Sequence, residues 1–78
     1  MSQIPSLTGE QIIKALDKAG FQAIRQRGSH VYLKHQDGRS TVVPVHKGDT
    51  IGHGLLRKIL RDTEISRKEF LKTCSINN

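Results

Sequence analysis

Aromatic side chains are scarce in this sequence: two Phe, one Tyr and no Trp among 78 residues. Its core must therefore come mainly from Ile, Leu and Val. A chain this short buries only about 60% of its unfolded surface, which leaves little volume for an enclosed cofactor, so a surface site is expected. Cysteine is almost absent. The one thiol, Cys74, excludes an internal disulfide and fits a reducing cytoplasm. No apolar run approaches the roughly 20 residues that span a bilayer. The first ten residues lack a basic n-region and an apolar h-region, so neither a signal peptide nor a membrane role is expected. No Walker loop is present, and no G-x-G-x-x-G follows a strand. No carboxylate pair has acid–base spacing, and the His and Cys residues lack zinc-ligand spacing. No metal and no cofactor are expected.

Acidic residues are outnumbered, seven against thirteen Lys and Arg, which leaves a net charge of +6 and a pI near 10.0. A small basic domain suits a polyanionic partner, nucleic acid first. The excess is local. Between Phe21 and Lys47 stand Arg25, Arg27, Lys34, Arg39 and Lys47 against a single acid, Asp37. Arg57, Lys58 and Arg61 are candidates to extend the patch.

The length predicts one domain over residues 1–78, with a core over about 7–71 and a flexible tail over 72–78. After a lead-in to Leu7, Thr8 and Gln11 read as a capping box that opens a helix over about Gly9–Ala19. Ile12, Ile13, Leu16 and Ala19 form its apolar stripe, and Gly20 ends it. Strands are predicted over Gln22–Arg27, Ser29–His35 and Ser40–His46, with Gly28 breaking the first from the second. Val31 and Leu33 fall on one face of the middle strand, and His30, Tyr32 and Lys34 on the other. Pro44 places its strand at a sheet edge. A second helix over about Gly54–Asp62 buries Leu55, Leu56, Ile59 and Leu60. Ser66 and Glu69 read as a further capping box, opening a short last helix with Phe70 and Leu71.

Asp37-Gly38 marks a hairpin turn between the second and third strands. A two-residue turn pairs Leu33 with Val42 and puts Val43 on the face opposite Val31. A three-residue turn pairs Val31 with Val45 and Leu33 with Val43, and sets His30 opposite His46. Burial favours the second register, because it gathers the valines on one face. The fold class is thus α+β, in the order α-β-β-β-α of double-stranded-RNA-binding domains: a three-stranded antiparallel sheet with helices on one face and the other face wet.

A wet basic sheet face with a histidine has the parts that RNA cleavage requires. RNA carries its own nucleophile, the 2′-hydroxyl. The protein must move protons and stabilise added negative charge. Histidine suits the first task, since its ordinary pKa is near 6.5, and Lys or Arg the second. The residues alone equally allow a non-catalytic RNA-binding module, or a subunit that docks an acidic partner.

Gly28-Ser29-His30, after a helix that ends at Gly20-Phe21, resembles the G-S-H motif of the HicA toxins. Val42-Val43-Pro44-Val45-His46-Lys47-Gly48 is similar to that family's P-x-H stretch. Gly54 to Asp62, followed by Ile65-Ser66, resembles its second helix, although Leu55 and Leu56 stand where the family has small or hydroxyl residues. The likeness covers about Leu7 to Leu71. It implies the toxin of a toxin–antitoxin system, a cytoplasmic, metal-independent endoribonuclease that cleaves mRNA, with a HicB-type antitoxin as partner. The motif histidine maps to His30 as the catalytic residue. Gly28, Ser29 and His46 are its expected supports, and Arg25, Arg27, Tyr32, Lys34 and Lys47 the expected RNA contacts.

Overall fold

Thr8 opens the first helix by the expected capping box. Its hydroxyl accepts from the Gln11 N–H, and its own N–H donates to the Gln11 side chain. The computed structural model describes residues 6–74; the lead-in through Pro5 and the last four residues of the expected tail lie outside them. The elements run β1 (Leu7–Thr8), α1 (Gly9–Lys18), β2 (Phe21–Arg27), β3 (His30–His35), β4 (Ser40–Pro44), β5 (Thr50–Ile51), α2 (His53–Thr63) and α3 (Arg67–Cys74). β2, β3 and β4 form the expected antiparallel sheet, with β3 in the centre. β1 and β5 pair as a separate two-residue ribbon that the sequence did not signal, being too short to show a period.

One face of the sheet is sealed by helices. Val31, Leu33 and Val43 are buried there with Ile12 and Leu16 of α1, Leu56, Ile59 and Leu60 of α2, and Phe70 of α3. Each such side chain contributes about 1.5–3 kcal/mol when fully buried. Leu55 was expected in this core, but it is 36% exposed. Helical geometry gives the inward stripe to Leu56, Ile59, Leu60 and Thr63. Thr63 is completely buried, and its hydroxyl is satisfied by the Ile59 carbonyl at 2.9 Å. α3 extends to Cys74, so residues 72–74, expected in the tail, are helical. The Ser66 hydroxyl accepts from the Glu69 N–H at 3.1 Å, as its capping role requires. Among the described residues no helix is long and apolar enough to cross a membrane.

The β3–β4 register differs from both expected pairings. Val31 pairs with Val43, Leu33 with Thr41 and His30 with Pro44. The loop has three residues, but they are Gln36, Asp37 and Gly38. The Gly38 N–H donates to the His35 carbonyl, and the His35 N–H to the Arg39 carbonyl. This is a type I turn closed by a residue at positive φ, and Gly38 supplies it at φ 102°. The register expected from burial would have put Arg39 in that position, which an L side chain resists. The partition of faces survives, because the two registers differ by two residues. Pro44 lies on an edge strand, as expected, and in a pair that exchanges no hydrogen bonds. The neighbouring Val45 N–H makes the ladder bond, to Ser29 at 2.6 Å.

Candidate functional site

The outer face of the sheet alternates with the sealed one. His30 and Lys34 are exposed, and Tyr32 and Val42 are half-buried. Across from them on β2 stand Arg27, opposite His30, and Arg25, opposite Tyr32. Directly opposed strand residues have Cβ atoms about 5 Å apart, so Arg27 and Pro44 flank His30 on either side. Four of the five expected RNA-contact residues (Arg25, Arg27, Tyr32 and Lys34) therefore share a face with His30. The Arg25 guanidinium lies over the Tyr32 ring, 5.6 Å from its centroid. Lys47 stands apart, exposed in the turn after β4.

His30 opens β3 directly after a two-residue turn, Gly28-Ser29. Gly28 sits at φ 57°, a conformation glycine adopts without the steric cost of a Cβ. Three hydrogen bonds hold the turn. The Gln26 amide donates to the Gly28 carbonyl at 3.0 Å. The Ser29 carbonyl accepts from Val45. The Ser29 hydroxyl and His46 Nε2 share a bond of 3.2 Å. His46 is thus not opposite His30, as the expected register had it. It leaves β4 past Pro44 and reaches the neighbouring Ser29. His30 is exposed, and among the described residues its imidazole makes no hydrogen bond or ion pair, which leaves it open to a substrate.

The other histidines have different surroundings. His35 packs edge-on against Phe21, with ring centroids 5.1 Å apart, and its Nδ1 accepts from the Asp37 N–H. His53 is exposed at the first residue of α2. Arg39 belongs to the basic segment but serves the fold. Its guanidinium lies 5.1 Å from the Phe21 centroid, pairs with Asp37 at 2.9 Å and donates to the Thr63 carbonyl at the end of α2. The hydrogen bond from the Arg39 backbone N–H holds the Asp37 carboxyl below the usual aspartate range; desolvation opposes it, and the Arg39 guanidinium adds to the lowering. Nor do Arg57, Lys58 and Arg61 of α2 extend the basic face, since the helix packs on the sealed one. There Lys58 pairs with Asp62 at 3.0 Å.

Two outer-face residues were missed, Ile24 and Val42. β2 carries a bulge between Ala23 and Arg25, which leaves Ile24 as an extra residue, 60% exposed. The poor alternation of β2 was the available signal. Among the described residues, no group of three or more His, Cys, Asp or Glu is placed to hold a metal ion. What the arrangement offers is an open imidazole beside an arginine, on a cationic surface with some apolar floor.

A family model described as the HicA toxin of bacterial toxin–antitoxin systems matches residues 9–65. That span runs from the start of α1 to just past α2 and includes every candidate site residue. No curated protein matches the chain.

Proposed function

The chain belongs to the HicA toxin family of bacterial toxin–antitoxin systems, and from that premise we propose that it is an endoribonuclease that cleaves mRNA in the cytoplasm with His30 as its proton-transfer group. The observation that carries this reading is the exposed, unpartnered imidazole at the head of β3, flanked by Arg27. His30 takes the proton of a ribose 2′-hydroxyl. That oxygen attacks the adjacent phosphorus, the bond from phosphorus to the 5′-oxygen breaks, the leaving oxygen takes a proton from water, and protonated His30 returns its proton to solvent. Arg27 stabilises the extra negative charge on the phosphoryl oxygens. The substrate supplies the nucleophile, so no metal is required. Gly28 and Ser29 present His30, and His46 steadies Ser29. Arg25, Lys34 and Lys47 contact phosphates, which supply most of the affinity and make it salt-dependent. A HicB-type antitoxin neutralises the toxin by covering the same face.

Expression without an antitoxin tests the reading. The wild-type chain should arrest growth and deplete mRNA, and His30→Ala should do neither while accumulating to the same level. Growth arrest by His30→Ala with intact mRNA would refute the nuclease.

A further inference from the structure

The bulge in β2 does more than shift the pairing. It leaves Ile24 exposed beside the central strand. With Tyr32, Val42, Lys34 and Ser40, it lines a shallow hollow of about 470 Å³ that reaches Asp62 round the edge of β4. The floor is apolar, Lys34 stands at the rim, and Asp62 at the far end is paired with Lys58. Tyr32 is two residues from His30 on the same face, about 7 Å along the strand.

We infer that this hollow is a nucleobase subsite. It holds the base of a nucleotide next to the cleaved bond, against Tyr32 and Val42 with Ile24 at its edge. Arg25 and Lys34 hold phosphates on either side. The inference rests on the nuclease reading only for which face the RNA crosses. Size and charge select the occupant. Three apolar side chains, Ile24, Tyr32 and Val42, offer a surface the size of one base. A planar group already lies over the Tyr32 ring, in the form of the Arg25 guanidinium. Every base has a π-face, so stacking here tolerates any base, and selectivity falls to the Ser40 hydroxyl at the rim.

Binding of a probe without a free 2′-hydroxyl tests this independently of cleavage. A fluorescent 2′-O-methyl octanucleotide is compared with an abasic phosphodiester of the same length. Both are titrated against the full chain carrying His30→Ala, alone and with Ile24→Ala or Tyr32→Leu added. Ile24 is exposed, so Ile24→Ala leaves folding intact, and circular dichroism verifies both variants. The subsite predicts that Tyr32→Leu weakens the base-bearing probe about tenfold, that Ile24→Ala weakens it about threefold, and that both leave the abasic probe unchanged. Equal losses on both probes, or no loss on either, would overturn it. Cleavage of unmodified RNA by the wild-type chain is scored separately, so the nuclease and the subsite can fail independently.

Discussion

Two glycines at helix starts should respond to one added methyl group with opposite signs. Gly9 opens α1 and is buried. A Cβ there would stand 2.1 Å from the Pro44 carbonyl oxygen and 3.1 Å from Val45 Cγ1. The first contact is with backbone, which cannot rotate away, so β4 or the helix must shift. Overpacking of this kind costs about 1–3 kcal/mol, and the severity of the clash puts Gly9→Ala at the upper end. Gly54, in the first turn of α2, has nothing within 4 Å of its added Cβ. Gly54→Ala should gain about 0.5–1 kcal/mol by removing backbone freedom from the unfolded chain. In a domain of this length, 1 kcal/mol moves Tm by about 4–8 °C. Thermal melts followed by circular dichroism, in the His30→Ala background, should place Gly9→Ala roughly 10 °C or more below its parent and Gly54→Ala a few degrees above it. Because Pro44 pairs with His30, Gly9→Ala in the wild-type background should also slow RNA cleavage. A Gly9→Ala protein as stable as its parent would refute the close approach of α1 to β4.

Arg39→Ala should destabilise by about 1–2 kcal/mol in urea denaturation, since it removes a partner from the Thr63 carbonyl and uncovers Phe21; Arg39→Lys should recover less than half of that. Ser29→Ala and His46→Ala should each slow cleavage several-fold, and the double variant no further than either alone, because both break the same bond; additive losses in single-turnover assays would separate their roles. The hydrogen bond from the Lys58 ammonium, and then that from the Thr41 hydroxyl, hold the Asp62 carboxyl below the usual aspartate range, against a desolvation effect that pushes it up. A depressed carboxyl contributes stability above its unfolded pKa, about 3.9, and that stability is lost as pH falls through the lower folded value. Between about pH 5 and pH 2, therefore, Asp62→Asn should show a shallower loss of Tm than the wild type.

Much of the fold was legible because local chemistry and burial agreed. Thr8 and Gln11 announced α1, and the 3.6-residue stripe through Ile12 and Leu16 gave its buried face. The period-2 alternation of β3 gave the two faces of the sheet and put His30, Tyr32 and Lys34 on the wet one. The β3–β4 register was not legible from valine burial alone, since two pairings two residues apart bury the same side chains. The positive φ at Gly38 decided between them. That shift of two residues moved His46 from opposite His30 to a bond with Ser29, which strand pairing could not foresee. Arg39 shows why counting charges overstates a patch: it lies within the basic segment, yet its guanidinium is committed to Phe21, Asp37 and Thr63. Ile24 was hidden by the bulge, which breaks the alternation used to assign faces.

The most direct test of the account is cleavage of a defined mRNA by purified protein in the presence of EDTA, with wild type and His30→Ala run side by side. The account predicts that the wild-type chain yields fragments ending in 2′,3′-cyclic phosphate, and that His30→Ala, folded to the same Tm within a degree or two, yields none. Cleavage by His30→Ala at the wild-type rate, or wild-type cleavage that EDTA abolishes, would contradict it.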